Sequence, residues 1–196
     1  MGISHIGLKL GIVRLSFNNN IQLMDLKEFS RLVEIVFDKP MIEYGFKLER
    51  KKLENDFCER IYINSDRYVK ISANIHPMDA PAYYNIVLGQ GGIDWPECDW
   101  NAVALWRIKK DLDPKLKAKE YSLQKMEGLE KSLNHAKGEL LKYGDPFLNG
   151  DLKHFFEVRK IQTRSREPYK IYQPTEGGGR EMIIDAESSK LKEKYS

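Results

Sequence analysis

The chain has 196 residues, 31% of them charged and 41% hydrophobic, with a formal net charge of +3. That length suits one domain, and so small a charge excess does not by itself argue for nucleic acid. Two cysteines, Cys58 and Cys98, without a CxxC pair or histidines at zinc-ligand spacing, argue against a disulfide framework or a structural zinc. They point to a reducing, cytoplasmic setting, and no apolar run approaches the ~20 residues that a membrane span needs.

Ile6, Leu8, Leu10 and Ile12 alternate with polar or glycine neighbours, a strand-like period that ends at Asn18-Asn19-Asn20. Residues 1–23 are expected to form a separate arm, or a translation start set too early, with an edge strand as the competing expectation. A single domain is expected over residues 24–173. Its first helix has a capping aspartate at Asp25, Glu28 three residues on, and Met24 as a staple residue. Leu26, Phe29, Leu32, Val33, Val36 and Phe37 follow at helical spacing. Pro40 is expected to end or kink the helix, and Gly45 suits the left-handed position after it.

Four strands follow, over residues 46–53, 57–63, 68–75 and 83–88, with Asn64-Ser65-Asp66 as a hairpin connection. Asp99 is read as the cap of a helix carrying Ala102, Val103, Trp106 and Ile108. Asp113-Pro114 is read as the cap and first-turn proline of a long helix. That helix would place Met126, Leu129, Leu133, Ala136, Leu140 and Tyr143 on one stripe and stop at Gly144. Asp151 opens a further helix that fades before Pro168. Gly177-Gly178-Gly179 and the charged residues around it predict a flexible polar tail over 174–196. The fold class is therefore α+β, with an N-terminal helix, a four-stranded antiparallel meander and C-terminal helices packed on the sheet.

Alternation in the third strand sends Val69, Ile71, Ala73 and Ile75 to the core. Tyr68, Lys70, Ser72 and Asn74 then line the outer face, joined by Cys58, Arg60, Tyr62, Tyr83 and Asn85. Tyrosines interleaved with Lys and Arg on an open sheet suit a protein contact, so Tyr62, Tyr68, Lys70, Asn74 and Tyr83 are candidate binding residues. The same rings could stack on single-stranded nucleic acid. The competing expectation is a solvated face, or one covered by a later helix.

A second candidate is Asp94-Trp95-Pro96-Glu97-Cys98-Asp99-Trp100, where carboxylates among aromatics could hold a small ligand or serve a hydrolase. Asp94, Trp95, Glu97 and Trp100 are its binding candidates, set against a purely structural expectation in which the tryptophans close a core. Gly89-Gln90-Gly91-Gly92 lacks the lysine of a phosphate loop and reads as a turn. The basic run Arg159, Lys160, Arg164, Arg166 and Lys170 reads first as a solvated face. The four histidines are scattered, and no catalytic residue, metal ligand or cofactor motif emerges.

The order of helix, meander and helices, with the phrases Tyr84-Asn85-Ile86-Val87-Leu88-Gly89, Asp99-Trp100-Asn101-Ala102-Val103-Ala104-Leu105-Trp106 and Phe156-Glu157-Val158-Arg159, resembles small bacterial α+β proteins. Some of these look like immunity proteins that neutralise a cognate toxin. The resemblance spans roughly residues 24–172 as an architecture and carries over no functional residue. It implies a binding or inhibitory role ahead of an enzymatic one, and the expectation drawn is a non-enzymatic protein-binding domain.

Overall fold

A computed structural model describes residues 25–75, 83–117, 121–123 and 128–196. The expected arm or edge strand over residues 1–23 lies outside the described residues, as do Met24, His76 and Met126. Asp25 accepts the Lys27 N–H at 2.8 Å and caps helix α1 (Leu26–Glu43). Pro40 lies inside this helix without ending it, and Gly45 then turns the chain at φ +77°.

Strands β1 (Lys47–Leu53), β2 (Phe57–Asn64), β3 (Arg67–Asn74) and β4 (Tyr83–Gln90) form the expected antiparallel meander. A short helix α2 (Glu97–Trp100) then leads into a fifth strand on the same path, β5 (Ala102–Ala104), before helix α3 (Leu105–Leu112). The expected helix from Asp99 is thus interrupted. Val103 is buried where it pairs with Leu88, so sheet pairing overrides the helical preference of its alanine neighbours. The short strand β6 (Tyr121–Ser122) pairs with the far end of β4.

Helix α4 (Leu129–Tyr143) begins well after Asp113 and buries the predicted stripe Leu129, Leu133, Ala136 and Leu140. A short α5 (Asp145–Leu148) and α6 (Lys153–Ser165) follow. Residues 174–196 are not the expected tail. Strands β7 (Lys170–Pro174) and β8 (Arg180–Ile184) make a separate hairpin, and α7 (Ala186–Tyr195) ends with Tyr195 buried. The triple glycine is a hairpin turn, and the charged end is a helix capped by Asp185, which accepts the Ser188 N–H at 2.7 Å.

The main core joins one face of the sheet to α1, α3, α4, α5 and α6. Val69, Ile71 and Ala73 meet Phe29, Val33 and Val36 there, with half-buried Ile75 packed alongside. The register expected for β3 is therefore the one adopted. For β2 it is inverted. The two-residue turn Ser65-Asp66 pairs Asn64 with Arg67, so Tyr62 lies opposite Val69 and Arg60 opposite Ile71, on the core side. The outer face of β2 is built instead from Phe57, Glu59, Ile61 and Ile63.

Candidate functional site

Among the described residues the outer sheet face has a covered end and a more open end, where Asn74 is exposed and Lys70, Ser72, Tyr83 and Asn85 are half-buried. At the covered end, Ile61, Tyr68 and Ala102 form a second buried cluster, with Ile63, Val87, Ile93 and Cys98 packed around it. Tyr68 points outward as its alternation requires, but its ring takes the space where a side chain at Gly89 would stand, and its hydroxyl donates to Asn101 Oδ1 at 2.7 Å. The segment 91–101 folds over it like a flap. Asn101 pins that flap by donating to the Gly92 carbonyl at 2.7 Å. Burial pushes the Tyr68 hydroxyl far above its usual pKa, so it stays a neutral donor.

At the open end, Lys70, Ser72 and Asn74 of β3 lie beside Tyr83 and Asn85 of β4. A shallow groove of about 160 Å³ is lined there by Phe57, Ser72, Asn74 and Tyr83. Lys52 sits over the Phe57 ring, 5.6 Å from its centroid. Arg50 marks where the flap meets the sheet, with its guanidinium 2.7 Å from Asp94 and 3.8 Å from Glu59.

Next to Asp94 stands Trp95, joined to Pro96 by a cis peptide and 72% exposed. Its indole stacks on Tyr169, with centroids 6.0 Å apart and planes within 15°. Tyr169 is itself held from behind. Its hydroxyl donates to Asp99 Oδ2 at 2.5 Å, and Arg166 reaches the same carboxylate at 3.1 Å and the Asp99 carbonyl at 2.6 Å. The Arg166 guanidinium lies 4.7 Å from the centroid of buried Trp100. Burial, and the hydrogen bond to Asp99, push the Tyr169 hydroxyl up to about 12. Asp99, read from the sequence as a helix cap, makes no cap hydrogen bond to α3 and works as this anchor instead.

Tyr169 is also the foot of the β7–β8 hairpin, since its carbonyl accepts the Asp185 N–H at 2.8 Å. Alternation along β7 puts Ile171 on the same side as Tyr169 and cross-strand from Ile183. The other side of the hairpin bears Tyr172 (70% exposed), Met182 and Ile184, all open to solvent. The candidate surface is the more open sheet end, Trp95 on the flap and the Tyr169–Ile171 side of the hairpin, whereas Tyr172, Met182 and Ile184 face the other way.

Of the candidates read from sequence, Lys70, Asn74, Tyr83, Asp94 and Trp95 belong to this surface. Four do not. Tyr62 is buried on the core side, donating to Asp38 at 2.6 Å. Tyr68 is buried beneath the flap, and Trp100 is the buried end of the flap's own short helix. Glu97 faces α7, where Tyr195 donates to it and Lys194 lies 2.8 Å away. Those bonds from Lys194 and Tyr195 hold its carboxyl below the ordinary carboxylate range.

The three carboxylates of the flap thus point to three different partners, Arg50, Lys194 and Arg166, rather than to each other. The basic run also disperses, with Arg166 locked on Asp99 and Arg159 half-buried between Phe156 and Tyr195. Tyr169 and Ile171 were not among the candidates read from the sequence. A signal was present in the alternation of Ile171-Tyr172 and Met182-Ile183-Ile184 about the triple glycine, a hairpin pattern. Among the described residues no group of three or more His, Cys, Asp or Glu gathers in a metal-binding arrangement, and no helix is long and apolar enough to cross a membrane. Compared with protein-family models, curated proteins and solved structures, the chain has no match.

Proposed function

We propose that this chain is a protein-binding domain that acts without catalysis, of the kind that neutralises a cognate bacterial toxin. Its contact surface would be the strip from the open sheet face through Trp95 to the β7–β8 hairpin. The observation that carries the reading is Trp95 itself, exposed yet backed by a Tyr169 ring that Asp99 and Arg166 immobilise. An exposed indole held in one orientation loses little freedom on binding, and Trp, Tyr and Arg dominate the energetic centres of protein interfaces. Polar neighbours, among them Arg50, Lys70 and Asn74, supply the rim that such centres need.

Nucleic acid is less well served. Two of the tyrosines that would have formed a stacking platform, Tyr62 and Tyr68, are inside the protein. A hydrolytic centre in the flap lacks two facing carboxylates.

The test is affinity purification of partners from the source cells with the wild-type chain and with Trp95→Ala as paired baits. Direct titration of the purified partner follows. A partner that binds wild type at least about 30-fold more tightly than Trp95→Ala supports the proposal. Equal affinity of the two baits refutes this surface. A partner whose toxicity is unaffected by co-expression of the chain refutes the neutralising role.

A further inference from the structure

Helices α3 and α6 leave a groove of about 420 Å³ between them, lined by none of the residues of the Trp95 strip. Its floor and one rim come from α6, where Val158, Ile161, Gln162 and Ser165 recur at helical spacing on one face. Val158 is buried, whereas Ile161 is 63% exposed, a large aliphatic side chain at the groove's edge. The Gln162 amide is already committed, donating to the Ala102 carbonyl at 3.1 Å. The opposite wall is α3, which contributes Trp106, Arg107 and Lys110.

The charges of this groove are unbalanced. Arg107 lies over the Trp106 indole, 4.6 Å from its centroid, and neither Arg107 nor Lys110 forms an ion pair among the described residues. By contrast, their neighbour Lys109 on the same helix is tied to Glu139. The groove's carboxylate, Asp111, has His154 Nε2 3.6 Å away. The groove is thus a trough with an aromatic wall, carrying one carboxylate and two cations without an ion pair among the described residues, a net positive balance. Small-molecule sites have this composition, mostly apolar with a few convergent polar groups, and span roughly 300–1,000 Å³.

We propose that this groove binds a small planar organic anion, an aromatic carboxylate or sulfonate. The ring would lie against Trp106 and Ile161, and the anionic group would reach Arg107 and Lys110. An indole wall favours a flat apolar ring, and a guanidinium held in place is a fitting partner for a carboxylate's two oxygens. The volume, near the lower end of that range, suits two fused rings better than a peptide helix. This proposal does not rest on the Trp95 surface and is tested independently of it.

The experiment is calorimetric titration of the full chain, at low salt, with 2-naphthoate and with its neutral counterpart 2-naphthalenemethanol. One-to-one binding of naphthoate, about tenfold or more tighter than the alcohol, is expected. The double variant Arg107→Gln/Lys110→Gln should bring naphthoate down to the alcohol's affinity, and Ile161→Glu should abolish both. Circular dichroism of each variant verifies the fold, and Trp95→Ala should titrate like wild type. Equal affinity for the two probes overturns the proposal. So does an anion preference that survives the double variant, loss of that preference in Trp95→Ala, or no one-to-one binding at millimolar naphthoate.

Discussion

Trp95 and Tyr169 stack nearly parallel with their centroids 6.0 Å apart, one on the flap after β4 and the other at the foot of the hairpin. The two rings play different parts. Trp95 is exposed, so Trp95→Ala should change stability by no more than about 1 kcal/mol, measured by urea denaturation. Trp100, on the other side of Tyr169 in the same cluster and only 1% exposed, should cost about 3–5 kcal/mol when cut to alanine. A Trp95→Ala protein as unstable as Trp100→Ala would make the exposed ring a structural residue rather than a contact.

The close approach of Tyr68 to Gly89 gives a sharper test of the flap. A Cβ on residue 89 would fall within the Tyr68 ring. Gly89→Ala should therefore destabilise by about 1–3 kcal/mol through overpacking. In a Tyr68→Ala background the same substitution should cost far less, because the clash is gone. Additive effects in that double-mutant cycle would contradict the packing described.

Arg60 is buried at the edge of the core, where it donates to Asp38 at 2.8 and 3.1 Å and to Glu34 at 3.1 Å. Its removal leaves Asp38 bonded only by the Tyr62 hydroxyl. Arg60→Ala should cost about 2–3 kcal/mol in thermal or urea denaturation. Lys51→Ala, which removes an exposed partner of Glu34, should change stability little.

The attachment of α7 should depend on pH through Glu97. Hydrogen bonds from Lys194 and Tyr195 lower its pKa in the folded chain. A carboxyl with a lowered folded pKa contributes stability above its unfolded value and loses it as pH falls through the folded one. Amides of residues 186–195 should thus lose hydrogen-exchange protection on acidification before the sheet does. Glu97→Gln should remove that pH dependence. Protection of α7 that falls in parallel with β3 in both proteins would show that Glu97 does not govern its docking.

Much of this protein follows from local pattern. The Asp25 cap, the Phe29-Val33-Val36 stripe and the Val69-Ile71-Ala73 alternation each state a period and a buried face within a few residues, so the α+β class and the register of β3 were readable. The side of the sheet taken by Tyr62 was not, because it depends on the two-residue turn Ser65-Asp66 and so on which residue pairs with which. β5 was hidden for a similar reason, being three residues long and extended only because Leu88 stands opposite Val103. The site divides along the same line. Lys70, Asn74, Tyr83 and Trp95 could be named from residue type, but Tyr68 is taken from the surface by a flap and Tyr169 is brought to Trp95 by a distant hairpin. Periodicity describes the faces an element offers; which face stays open is decided by long-range packing, whose partners lie too far along the chain for any local pattern to carry them.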